Sequence, residues 1–252
     1  MQKVHSKVQM RASVDSGGRS VSQHSQFGRS CSMTTPLERI FAALDSRSRA
    51  GLSMKLWGAS IGFSAYGYCF YFFLTWLPGY LVQTMHMSIL RSAGLAAIPW
   101  TYATASDLLF GGWLIDHLIA RGHDATLVRK SVLLFGMTCG LAVFGATTTT
   151  SPAVAVFWTS VALSGLAAAA PVWWSIPALI APSAGVGTMA GIMNFANNVM
   201  GAVAPIATGF IVGYTHSFAG AFLLAGGVLL VGMATFVLLA GRLESLRVTV
   251  SD

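Results

Sequence analysis

Three asparagines stand close together in the run MAGIMNFANNVMG: Asn194, Asn197 and Asn198. Positions 194 and 198 are four apart and share a helical face, and Asn197, three from Asn194, adjoins it. An amide offers two N–H donors and one acceptor oxygen, a set that suits hydroxyls and carboxylates. Hydrogen bonding between helices is the other use of such a cluster in an apolar run. Asp107 is the only ionisable residue well inside one of these runs. A charge there is costly and must face a cavity or a partner, yet no Arg, Lys or His well inside the runs is available to pair with it. Arg129 and Lys130 stand at the very edge of one run, away from Asp107. Asp107 reads as a proton or polar site, or as a structural cap at a helix bend. Aromatic residues cluster too: Tyr66, Tyr68, Tyr71 and Trp76 in one run, Trp173 and Trp174 in another. An indole often lies at the membrane interface, which is the expectation for Trp173, whereas Tyr66 in mid-run should point inward.

The segment GGWLIDHLIARGHDATLVRK (111–130) places Gly112 four residues before Asp116 and Arg121 five after it. An acid at a helix end followed by bases can form an ion-paired latch that holds one state and releases in another; a solvated turn is the alternative. Nucleophilic chemistry would need a serine and a histidine at matching depth, with oxyanion donors. Ser164-Gly165 lies in mid-run, but Ala162 stands where a GxSG motif wants glycine, and His216 falls at the end of a run. An intramembrane serine protease is therefore the weaker reading, and no enzyme activity is expected. Cys31, Cys69 and Cys139 show no CxxC and no ligand spacing, so no disulfide framework, metal or other cofactor is expected.

The elements that must position these residues follow from composition. Of 252 residues, 54% are hydrophobic and only 9% charged, against about 25% charged in soluble domains. Mean hydropathy is +0.66. These values exclude an ordinary water-soluble enzyme. Apolar runs occur at 56–82, 93–115, 129–147, 153–176, 188–213 and 218–241. About 20 helical residues cross the ~30 Å hydrocarbon core, and lipid leaves no partner for a bare backbone, so each run should be a transmembrane helix. The fold class is all-α and polytopic, a six-helix bundle over 54–245. The third run is short and should cross with little tilt. Pro78, Pro99, Pro171 and Pro205 can kink their helices. The pairs Gly58/Gly62, Gly136/Gly140, Gly187/Gly191 and Gly209/Gly213 are expected to let helices approach closely.

Residues 1–53 differ from the rest. The first 35 hold eight serines and five bases against a single acid, Asp15. They read as a disordered cytoplasmic segment, or as something similar to an organelle transit peptide, with a candidate amphipathic helix at 36–50. The formal charge is +7. The bases sit in loops, so topology accounts for the excess better than nucleic acid does. Fourteen of the 15 Lys and Arg fall on one side of the expected membrane: nine before residue 56, Arg121, Arg129 and Lys130 in the 116–130 loop, and Arg242 and Arg247 in the tail. Only Arg91 falls on the other. Both termini should then be cytoplasmic.

Gly112-x-x-x-Asp116 with Arg121 resembles the cytoplasmic loop motif of the major facilitator superfamily, in the copy between that family's eighth and ninth helices. YFFLTWLPGYL (71–81), WWSIPALIAP (173–182) and GIMNFANNVMGAVAPIATGFIV (191–212) sharpen the resemblance to its anion:cation symporter branch, which includes galactonate, glucarate, hexuronate and phthalate-type permeases. The resemblance covers about residues 54–245 and corresponds to the second of two six-helix halves. It implies a proton-coupled transporter of small organic anions such as sugar acids or aromatic carboxylates, in a bacterial inner membrane. It implies that Asn194, Asn198, Trp174 and Tyr71 contact substrate, and that Gly112, Asp116 and Arg121 form the loop latch. Two departures stand out. His117 replaces the usual arginine, and MNFANN replaces FNFFGN, so that Asn197 stands in place of a glycine. The branch's proton-binding acids and substrate-binding arginine belong to the first half, so the partner implied is that half or a second copy. A non-transporting remnant or an assembly subunit is the rival expectation.

Overall fold

The computed structural model describes residues 46–182, 185–241 and 243. These belong to the larger of two units, Pro36–Asp252; the smaller, Met1–Thr35, lies outside the described residues. So do the expected disordered start and most of the candidate helix at 36–50.

Six helical rods run through the described residues, and none of these residues forms a strand. The first is α1 (Ser46–Gln83). The second comprises α2 (Ile89–Ser106), a π-helical stretch (Asp107–Leu114) and α3 (Ile115–Ala120), with helical dihedrals at both joins. The third is α4 (Ala125–Gly140) followed by a 3₁₀ stretch (Leu141–Thr147). Then come α5 (Pro152–Ile180), α6 (Val186–Thr215) and α7 (Ala219–Ala240). Four of the rods, Ala125–Thr147 and the last three, are long and apolar enough to cross a membrane by length and composition alone. The first carries ten aromatic side chains, which suits a helix that lines a cavity. The short third run gains reach by tightening: 3₁₀ geometry rises ~2.0 Å per residue rather than ~1.5 Å, so the rod spans about 38 Å.

α1 is the central element, packed along α6 and α7, while α5 receives α2 and α4. Trp173 anchors the middle of the bundle. It is fully buried, stacked on Phe63 at 5.6 Å and edge-on to Phe236 at 5.0 Å. Its expected place at the membrane interface is thus corrected. Gly62 leaves the space its indole fills, since a Cβ there would lie 2.6 Å from Trp173 Cη2. Side chains tie rods together at two proline carbonyls: Trp76 Nε1 donates to Pro205 O at 3.3 Å and Ser92 Oγ to Pro78 O at 2.8 Å.

The third rod starts at a side-chain cap. Asp124 is extended and its Oδ1 accepts from Leu127 N at 2.7 Å. Asp124→Ala should cost about 1 kcal/mol, read as a fall of roughly 2–4 °C in the thermal midpoint of the purified chain.

Candidate functional site

Helical periodicity brings four rods onto one cavity of about 340 Å³. α1 supplies Phe63, Tyr66, Gly67, Phe70 and Tyr71, a stripe at i, i+3, i+4, i+7 and i+8. Trp100, Ala103 and Thr104 of α2, then Asp107, repeat that spacing. α5 adds Ala167, Ala170 and Trp174, and α6 adds Asn197. The rings form a connected belt: Trp174 edge-on to Phe63 (5.4 Å), Phe63 on Tyr66 (5.7 Å), Tyr66 on Phe70 (5.9 Å), and Phe70 edge-on to Trp100 (5.5 Å). Tyr66 is buried and faces inward, as its mid-span position suggested.

Asp107 sits where the second rod widens into the π-helical stretch. Its backbone N–H still bonds the carbonyls of Ala103 and Thr104. One turn on, Gly111 lies against α5; a Cβ there would come within 2.8 Å of Pro171 Cγ and 3.0 Å of Ala168 O. Ser106 Oγ fastens the same level by donating to Ser164 O at 2.8 Å. Short π segments recur at functional sites, and this one begins at Asp107, which lines the cavity. Asp107 Oδ1 is buried without a hydrogen-bond partner.

Of the three asparagines, Asn197 is the one that lines the cavity. It is 6% exposed, and its Oδ1 is also unpartnered. Its side chain fills the notch left by Gly67, where an added Cβ would lie 2.8 Å from Asn197 Cγ. Asn194 and Asn198 are exposed on the adjoining face. Asn198 Nδ2 donates to Asn194 Oδ1 at 2.9 Å and to Asn194 O at 2.8 Å, and Tyr71 OH donates to Asn198 Oδ1 at 3.4 Å. Tyr71 therefore joins the exposed amide pair to the cavity. Trp174 lines the cavity but is 59% exposed, so the wall is open on one side. The structure thus groups Tyr71, Trp174 and Asp107, and brings Asn194 and Asn198 to them through one hydroxyl. Sequence reasoning passed over Phe70, Trp100 and Thr104; the i, i+3, i+4, i+7 stripe ending at Asp107 was the signal that could have found them.

The loop residues lie apart from this cavity. Gly112 belongs to the π-helical stretch, and Asp116 and Arg121 are both exposed, with no ion pair between them among the described residues. His117 stacks on Trp113 at 5.0 Å. Ser164 and His216 line two separate cavities, so the pair needed for serine chemistry is not assembled. Among the described residues no group of three or more His, Cys, Asp or Glu could hold a metal ion.

The family model described as Major Facilitator Superfamily matches residues 18–205. The uncharacterized transporter YybO of Bacillus subtilis (strain 168) is 39% identical over 194 residues, 77% of this chain and 45% of that protein. A probable L-galactonate transporter of Escherichia coli (strain K12) is 35% identical, over 73% of this chain and 41% of that one. A hexuronate transporter of B. subtilis (strain 168) is 34% identical, over 67% and 40%. The chain spans less than half the length of these curated relatives. A crystal structure of the peptide transporter POT with sulfate superposes with a TM-score of 0.61 at 18% identity, over 76% of this chain and 40% of that one, which is a likeness of fold.

Proposed function

The chain belongs to the Major Facilitator Superfamily, and from that premise we propose that its six rods form one wall, the second half, of an alternating-access transporter for small organic anions. It is a multi-pass membrane protein, and the relatives it matches are named as transporters rather than enzymes. The observation that supports the proposal is the convergence of four helices on a membrane-embedded cavity lined by Tyr71, Trp174 and Asn197. Sites of this kind lie near the midplane, between two bundles that rock around them. Asn194 and Asn198, on the open face beside Tyr71, present amide groups to hydroxyls and carboxylates of a sugar acid. The cationic group that receives the carboxylate, and the acids that carry the coupled proton, come from the other half. Asp107 is a proton or polar site in this wall.

The same proposal places the protein in a bacterial inner membrane with both termini in the cytoplasm, on the side that gathers the bases. Gly112, Asp116 and Arg121 then lie at the cytoplasmic end. There Asp116 and Arg121, unpaired with each other, are available to engage the opposite half in one state and release it in the next.

Co-expression with the first half of the L-galactonate relative, in E. coli cells lacking their own galactonate uptake, tests this reading. Labelled galactonate should accumulate, and Asn198→Ala should lower uptake about tenfold, because it breaks the link from Tyr71 to Asn194. Assembly of the two halves without uptake would overturn the proposal.

A further inference from the structure

The wall carries a charge of the wrong sign for a simple anion. The residues lining the cavity include one carboxylate, Asp107, and no Lys, Arg or His. Around it stand the rings of Phe70, Tyr66, Trp100, Tyr71 and Trp174. Aromatic faces carry negative potential and attract cations, most strongly when desolvated. A carboxylate oxygen buried without a partner, as Asp107 Oδ1 is, is costly. The second buried acceptor without a partner is Asn197 Oδ1, in a side chain that lines the same cavity. Carboxylate, unpartnered amide oxygen and a belt of rings all seek positive charge or an N–H donor. Neither oxygen has such a partner among the described residues.

We propose that this cavity receives an ammonium group, held by the Asp107 carboxylate and the surrounding ring faces. The ammonium site does not rest on the function proposed above. It assigns to Asp107 the second of the two roles given above, a polar site that binds the ammonium. At about 340 Å³ the cavity is at the small end of ligand pockets, about 300–1,000 Å³, which suits a compact head group.

The test uses the full chain in detergent micelles and tetramethylammonium chloride as the probe, followed by tryptophan emission, since Trp100 and Trp174 line the cavity. Sodium chloride at equal ionic strength and tert-butanol, an uncharged compound of similar shape, are the controls. A saturable change is expected with tetramethylammonium and with neither control. Asp107→Asn should weaken it at least tenfold, and Asp107→Glu should keep it within about threefold. Phe70→Leu removes a ring without removing charge or reporter and should also weaken it about tenfold, so it decides the matter if Asp107→Asn fails to fold. Equal responses to tetramethylammonium and tert-butanol, or undiminished binding in both Asp107→Asn and Phe70→Leu, would overturn the site. Galactonate uptake by the two assembled halves separates the readings. Uptake with no ammonium response removes the present inference alone. An ammonium response without uptake supports the site and removes the transport reading.

Discussion

Proteoliposomes containing only the 252-residue chain will accumulate no galactonate above protein-free vesicles, whatever proton gradient is imposed. Alternating access needs two bundles closing in turn on either side of a site, and the described residues build one wall. That wall is open, with Trp174 more than half exposed and Asn194 and Asn198 on the surface. Electrostatics works against an anion as well. Two like charges about 4 Å apart repel by ~1 kcal/mol in water and ~4 kcal/mol at the effective dielectric of a protein surface. An ionised Asp107 would therefore weaken binding of a carboxylate placed beside it by roughly five- to a thousandfold, with no guanidinium in the cavity to offset the repulsion. A bidentate arginine from the other half would reverse that sign. Vesicles carrying both halves should take up the label, and their rate should exceed the single-half background by at least about a hundredfold. Gradient-driven uptake by the chain alone, checked by collapse with a protonophore, would show that one wall or a pair of copies suffices.

The bundle was legible in the sequence because lipid leaves a backbone few options. Apolar runs of the right length had to become helices, and the six runs fall on the six rods. Their edges were less legible. α1 begins by Ser46, ahead of the apolar run, because Leu52 and Leu56 extend the buried face of Ala59 and Phe63 at helical spacing among the bases. The identity of the cavity asparagine was hidden as well. Positions 194, 197 and 198 lie within about 100° of one another on a helix, so hydropathy cannot say which one is buried. What selects Asn197 is Gly67 on another rod, 130 residues away, whose missing side chain makes the notch. Likewise, nothing local marks Trp173 as core and Trp174 as half-exposed, since neighbours on a helix simply point about 100° apart. Which indole goes inward depends on Gly62 and Phe236. The residues of greatest chemical interest were therefore visible as types, while their roles were set by pairings between rods.

The four glycine pairs carry the same lesson into a measurable contrast. Gly136 and Gly165 meet where α4 crosses α5. A Cβ on Gly136 would collide with Gly165 O and lie 3.1 Å from Ala169 Cβ; one on Gly165 would collide with Cys139 Cβ and lie 2.5 Å from Gly136 O. Backbone stands on both sides of the contact, so no side chain can swing away and the helices themselves must part. Gly165→Val should cost about 3 kcal/mol or more, the upper end of overpacking, and lower the thermal midpoint by about 10 °C. Gly187 and Gly191 have nothing within 4 Å, although the sequence presents them as the same kind of pair. Gly187→Ala should leave the isolated chain unchanged or raise its midpoint slightly, since alanine favours a helix by up to about 1 kcal/mol. These two glycines share the exposed face of α6 with Asn194 and Asn198, at spacings of 4, 3 and 4 residues. Small and polar residues along one face of a membrane helix suit another protein surface better than lipid. Gly187→Leu should therefore be silent in the melting of the chain alone yet lower uptake at least about tenfold when the first half is present. Undiminished uptake by the Gly187→Leu variant would place this face in lipid and move the partner elsewhere.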